Sequence, residues 1–281
     1  MAGLYIHIPF CRKACHYCNF HFSTQLKNIQ PLVDAICKEI DNEAPKFSTK
    51  LTTLYFGGGS PSILNHSQLT QIFEAVSTHF DISQIQEITL EANPGSVEAG
   101  RFIAYRDGGV SRISMGIQAL NDEDLRRLGR IHSTSEALAA FDIARNTFER
   151  VSFDLIYARQ NQSLRDWEAE LNQALTLSID HLSLYQLTVE DGTAFGDRYA
   201  LGKLRGLPDE DLGADMFDLT QDICGAAGMP AYEVSNHARD SAQSRHNLIY
   251  WRYGDYLGIG PGAHGRLTLG GARNATICFS N

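Results

Sequence analysis

Short apolar, β-branched and aromatic runs alternate along this chain with stretches whose apolar residues recur every three to four positions. The first kind reads as strand and the second as amphipathic helix, and their alternation is the pattern of βα units around a parallel sheet. Strands are expected at Leu4 to Ile8, Leu51 to Phe56, Glu87 to Glu91, Ser111 to Met115, Ser152 to Tyr157 and His181 to Leu187. A helix from about Pro31 to Asn42 keeps Leu32, Val33, Ile36 and Ile40 on one face, and Pro31 suits its start. Leu69, Ile72, Phe73, Val76 and Phe80 mark a second helix, and Leu164, Trp167, Leu171 and Leu175 form the buried stripe of another over 164–177. Further helices are expected over 96–106, 121–128, 134–148 and 212–226.

Six such units suit either an open doubly wound sheet or a partial (βα)6 TIM-like barrel, and periodicity alone does not separate the two. Motifs sit after several different strands, as sites at the C-terminal mouth of a barrel do, so the α/β barrel is the expectation. After Leu187 the alternation weakens into the Gly-containing stretch 191–208, and beyond the last helix lies a tail rich in His, Tyr and Gly. A core over 1–235 and a C-terminal extension over 236–281 are therefore expected.

The net charge of -9 and the lack of any Lys/Arg run argue against a nucleic-acid partner, because phosphate binding needs clustered positive charge. No secretory leader and no apolar stretch near twenty residues is visible, so a soluble, cytoplasmic protein is expected. Of six cysteines, Cys11, Cys15 and Cys18 crowd one loop while Cys37, Cys224 and Cys278 are scattered. In a reducing compartment that crowding favours metal ligation over disulfides. Cys37 and Cys224 fall within helices, where free cysteine behaves as a small hydrophobe.

The segment Cys11-Arg-Lys-Ala-Cys15-His-Tyr-Cys18 follows the first strand directly. Three thiolates on an iron-sulfur cubane leave one iron with an open coordination position, since cubanes commonly use four. The alternative is a structural zinc site, which closes with four ligands and would enlist His16 or His21. Gly57-Gly58-Gly59-Ser60-Pro61-Ser62 follows the second strand and suits close approach of backbone to a ligand or a plain tight turn. Glu91 ends the third strand, Gln118 follows the fourth, and Asp154 lies in the fifth, so polar groups from different strands could meet one ligand. His246-Asn247-Leu-Ile-Tyr250-Trp251 sets an imidazole beside large aromatics, which suits either a haem ligand or an aromatic core patch.

Tyr5-Ile-His-Ile-Pro-Phe-Cys-x3-Cys-x2-Cys resembles the radical S-adenosylmethionine (SAM) superfamily, in the branch that contains oxygen-independent coproporphyrinogen III oxidase and the haem chaperone family HemW. The resemblance implies a [4Fe-4S] cluster on Cys11, Cys15 and Cys18, with SAM on the open iron and a 5'-deoxyadenosyl radical as the product of its cleavage. It matches Tyr5, Tyr17, Gly58, Gly59, Ser60, Glu91, Gln118, Arg130 and Asp154 to SAM-contacting positions of the oxidase pattern. It also implies haem binding by His246, Tyr250 and Trp251.

Two functions follow as expectations: oxidative decarboxylation of coproporphyrinogen III, or carriage of haem to client haemoproteins. The oxidase pattern has a further cysteine two residues after the third, where this chain has Phe20, and an N-terminal extension before the first strand. Together with the His-Asn-x-x-Tyr-Trp segment, these departures favour the carrier. An electron donor for the cluster is implied, and a homodimer and membrane-associated clients are compatible with the resemblance. The family would continue past Asn281 into a helical domain, so a shortened member is expected.

Overall fold

In the computed structural model, which describes residues 2–25, 28–47, 49–95, 99–178 and 180–278, ten strands form one sheet. They are β1 Ala2–Ile8, β2 Leu51–Gly58, β3 Glu87–Ala92, β4 Arg112–Gln118, β5 Arg150–Tyr157, β6 His181–Gln186, β7 Asn236–Ala238, β8 Asp255–Ile259, β9 His264–Leu269 and β10 Ala272–Ile277. The sheet order is β10-β9-β8-β1-β2-β3-β4-β5-β6-β7. From β8 through β1 to β6 all neighbours run parallel, and β7, β9 and β10 are antiparallel additions at the two edges. Its edges are β10 and β7, so this is a partial, unclosed barrel.

The helices are α1 Gln30–Glu43, α2 His66–His79, α3 Phe102–Asp107, α4 Asp122–Leu128, α5 Thr134–Thr147, α6 Leu164–Leu177, α7 Ala194–Ala200, α8 Glu210–Ala226 and α9 Arg245–Trp251. Pro31 sits in the first turn of α1 as expected, and α5 and α6 begin with capping boxes, Ser133 with Glu136 and Ser163 with Asp166. The helix expected over 96–106 is described from Phe102, and residues 96–98 lie outside the described residues.

Strand pleating sorts the chain into two environments. Leu4, Ile6, Leu54, Phe56, Leu90, Ile113, Met115, Phe153, Leu155, Leu182 and Leu184 join the helix faces in one apolar core. Among the helix residues of that core are Ile36, Ile72, Phe141, Trp167 and Met216. The alternate positions face the barrel interior and are polar: Tyr5, His7, Thr53, Tyr55, Glu87, Glu91, Arg112, Ser114, Ser152, Asp154, His181 and Ser183. Such groups survive away from water only when paired. Here most pair, several of them across strands, as in Arg112 Nη2 to Ser152 Oγ at 2.9 Å, while His181 Nδ1 has no partner among the described residues.

Two features go beyond the sequence expectation. The His-, Tyr- and Gly-rich tail folds into α9 and the four strands β7 to β10, and β8 extends the parallel run on the far side of β1. Its strand runs are short and glycine-interrupted, and β8 is followed by β9 rather than by the helix that would announce a βα unit. Second, a buried ion pair braces the loops after β4 and β5: Arg159 Nη2 meets Glu170 Oε2 at 2.5 Å, and Glu170 Oε1 accepts from the Leu120 N–H at 2.6 Å. Glu170 lies on α6, so the helix carries the loop that presents Gln118.

Candidate functional site

The strands' C-terminal ends surround a cavity of about 630 Å³. Cys11, Cys15, Tyr17, Cys18, Gly58, Gly59, Ser60, Glu91, Gln118, Arg130 and Asp154 all line it. Stretches of chain that are far apart in sequence thus meet at one mouth.

The cysteine loop is strapped down by its backbone. Cys11 N–H donates to Ser23 O at 3.0 Å, His16 N–H to Leu128 O at 3.0 Å, and Phe195 N–H to His16 O at 2.8 Å. His16 Nδ1 donates to Arg127 O at 2.8 Å, and His7 Nε2 donates from β1 to His21 O at 2.8 Å. His7, to which the sequence assigns no role, therefore anchors the loop. Gly59 sits where a Cβ would meet Phe10 O at 2.7 Å and Ile8 O at 2.9 Å, so a side chain there would push the cysteine loop off β2. Gln118 adopts a left-handed φ of 76° where β4 bulges, turning the chain into the cavity at a cost of about 1 kcal/mol.

A polar chain links two of the thiols. Arg130 Nη1 donates to Cys15 Sγ at 3.3 Å, and Arg130 Nη2 to Asn93 Oδ1 and Gly116 O, both at 2.8 Å. Asn93 Nδ2 donates to Ser60 Oγ at 2.7 Å, and Ser60 Oγ to Cys11 Sγ at 3.7 Å. Sequence reasoning misses Asn93, whose only signal is its place before Pro94, just past the strand end that carries Glu91.

Burial raises the Cys11 thiol above its ordinary range and pushes Cys18 up to about 11. Burial likewise pushes Glu91 up to about 7 and Asp154 up to about 6. Both carboxyl groups are held where a cationic ligand would draw out their charge.

These residues fit a three-thiolate cubane better than a zinc ion. Among the described residues no group of three or more His, Cys, Asp or Glu could hold a single metal ion, and His16 is turned away onto Arg127 O. A cubane does not need its ligands to converge on one point, because each thiolate takes a different iron. Donors already aimed at Cys11 and Cys15 suit sulfurs that carry negative charge.

Four of the expected site residues lie elsewhere. Tyr5 is in the interior beneath the cavity, where its hydroxyl donates to His7 Nδ1 at 3.1 Å. His246 is only 1% exposed and lies at the strands' N-terminal end, where one ring nitrogen bonds Thr53 Oγ1 at 2.7 Å and the other the Tyr250 hydroxyl at 2.7 Å. Burial lowers its pKa to about 3, so the ring is neutral with both nitrogens engaged and neither is free for iron. Trp251, on the same helix, is 50% exposed.

The model of the radical SAM superfamily matches residues 5–174. Over 95% of its length the chain is 42% identical to heme chaperone HemW of Escherichia coli and 40% identical to heme chaperone HemW of Haemophilus influenzae, spanning 70% of each. Among solved structures it resembles coproporphyrinogen III oxidase (HemN) of Escherichia coli, with a TM-score of 0.79 at 25% identity over 94% of this chain and 64% of that one.

Proposed function

The chain belongs to the radical SAM superfamily and, within it, to the HemW heme chaperone family, and from that premise we propose that it binds a [4Fe-4S] cluster, SAM and haem and delivers haem to client haemoproteins. The observation that carries this reading is the mouth cavity, into which three thiols and the polar groups of β2, β3, β4 and β5 converge. When bound on these three thiols, the cluster would supply the electron for reductive cleavage of SAM.

The protein's own part is binding and orientation. Cys11, Cys15 and Cys18 would hold the cluster, while Arg130 donates to Cys15 Sγ and Ser60 to Cys11 Sγ. Gly58 and Gly59 let backbone border the cavity, and Glu91, Gln118 and Asp154 offer acceptors to a cationic nucleoside ligand. Tyr17 is half-buried, accepts a hydrogen bond from Arg130 and lines the cavity. Haem ligation by His246 would require the imidazole to leave Thr53 and Tyr250, whereas Trp251 is open to a planar macrocycle. Among the described residues no helix is long and apolar enough to cross a membrane. A cytoplasmic location, an electron donor and a homodimer belong to the same proposal.

The second reading, coproporphyrinogen oxidation, rests on the likeness in fold to the oxidase. Against it, Phe20 stands where the oxidase pattern has a further cysteine, and its ring lines the cavity at 60% exposure. Titrating haem into anaerobically reconstituted protein, with and without SAM, should show saturable binding, with no turnover of added coproporphyrinogen III. Turnover without haem binding would establish the oxidase instead.

A further inference from the structure

We infer that Tyr55 is a positioning residue for Glu91 at the SAM site, and that His246 acts by holding Tyr55, so that the C-terminal His-Asn-x-x-Tyr-Trp segment reaches the mouth through the barrel interior. The inference rests on the reading of the mouth as a SAM site and gives His246 a task there that iron ligation does not explain.

A continuous column of rings and hydroxyls runs up the interior. Tyr256 and Tyr250 meet edge to face with centroids 4.6 Å apart, and Tyr250 meets His246 in the same way at 5.0 Å. The His246 ring lies 5.0 Å from Tyr55, which is flanked by a stacked Tyr5 at 6.1 Å. At the top the Tyr55 hydroxyl donates to Glu91 Oε1 at 2.7 Å. The Thr53 and Tyr250 hydroxyls fix the imidazole from both sides, which leaves it one orientation.

Two glycines keep the column's space open. A Cβ on Gly3 would meet His246 Cε1 at 2.8 Å, and one on Gly57 would meet the Tyr5 and Tyr55 rings at 2.8 and 3.0 Å. The first glycine of the Gly57-Gly58-Gly59 segment thus makes room for Tyr55 rather than for a ligand. Simple packing would be met by phenylalanine at position 55. The hydroxyl adds a charge-assisted bond to a buried carboxylate that also accepts from the Gly58 N–H, and such bonds are strong and directional. Without it Glu91 would keep the Gly58 N–H but lose its side-chain donor and part of its aim into the cavity.

The test is SAM affinity in anaerobically reconstituted protein, measured by equilibrium dialysis for Tyr55→Phe, His246→Ala and the double variant. Tyr55→Phe should raise the SAM Kd about five- to tenfold, the loss of one hydrogen bond to a charged group. His246→Ala should raise it by a similar or smaller factor. The double variant should be no worse than the weaker-binding single variant, because the two residues act in series. Iron and sulfide content and the cluster's midpoint potential should stay at wild-type values in all three, which a general loosening of the fold would not allow. Should His246→Ala fail to fold, Tyr250→Phe removes one of the imidazole's two restraints and should move SAM affinity in the same direction. An unchanged SAM Kd in Tyr55→Phe, or effects that multiply in the double variant, would overturn the inference and leave the proposed function intact. Wild-type protein with a full cluster and no SAM binding would instead overturn both.

Discussion

The two ends of the barrel interior are built from the same polar strand positions, yet one is left open and the other is filled. At the mouth, Glu91, Gln118 and Asp154 border a cavity of about 630 Å³, and Arg130 and Ser60 donate to two of its thiols. At the base, Glu87 accepts from Ser244 Oγ and the His246 N–H at 3.3 and 3.2 Å, and Tyr232 joins His181 Nε2 at 2.9 Å to Asn247 Nδ2 at 3.2 Å. Helix α9 thus closes the base and brings partners to Glu87 and, through Tyr232, to His181 Nε2. At the mouth Glu91 accepts from the Tyr55 hydroxyl at 2.7 Å and Asp154 from the Ser114 hydroxyl at 3.5 Å, and both carboxyl groups also border the cavity. A carboxylate has more acceptor sites than one or two such bonds fill, and a ligand in the cavity can complete them. The contrast separates a binding end from a supporting end.

The largest effect expected is at the mouth. Cys15→Ser should abolish nearly all uptake of iron and sulfide, seen as loss of the cubane's visible absorption. It should change the stability of the cofactor-free protein by less than about 1 kcal/mol, because the residue is partly exposed and outside the apolar core. At the base the pattern should reverse. His246→Ala leaves two buried hydroxyls without partners and opens a void, so denaturant unfolding should show a loss of about 2–4 kcal/mol with full iron content. If His246→Ala instead lost the cluster, the two ends would not be separable.

A smaller effect tests the polar chain between the thiols. Asn93→Ala releases both Arg130 and Ser60, and weaker donation to sulfur disfavours the more negative reduced cluster. The midpoint potential should fall by roughly 20–60 mV, the one-electron equivalent of a 0.5–1.5 kcal/mol hydrogen bond.

The subtlest difference is the sign of pH dependence. Glu91 has a folded pKa of about 7, raised by burial from 4.5, so its contribution to cofactor-free stability is full below pH 4.5 and is lost as pH rises through 7. His246 has a folded pKa of about 3, lowered by burial from 6.5, so its contribution is full above pH 6.5 and is lost as pH falls towards 3. Chemical denaturation between about pH 4 and 8 should therefore show Glu91→Gln flattening the loss at high pH and His246→Asn flattening the loss at low pH. Identical slopes in both variants would remove the electrostatic side of the comparison.

Much of the mouth is legible in the sequence. The cysteine spacing, the glycines after β2 and the polar residues at strand ends are local signals, and the βα repeat tells which ends of parallel strands share a face. Asn93 leaves no such signal, because an Asn before Pro is ordinary turn chemistry until Arg130 and Ser60 are seen on either side of it. The aromatic neighbours of His246 suggest a haem ligand. That Thr53, 193 positions earlier, takes one of its nitrogens is a contact no spacing can reveal.

From the amino acids alone came the six βα units, the thiol trio and the family, since periodicity and short motifs are written along the chain. Only the tertiary structure decided that the tail lies beside β1 in the same sheet, that alternate strand residues form a polar interior, and which polar groups are paired there. Those outcomes depend on which distant segments come together, and a buried polar residue acquires its role from the partner it meets.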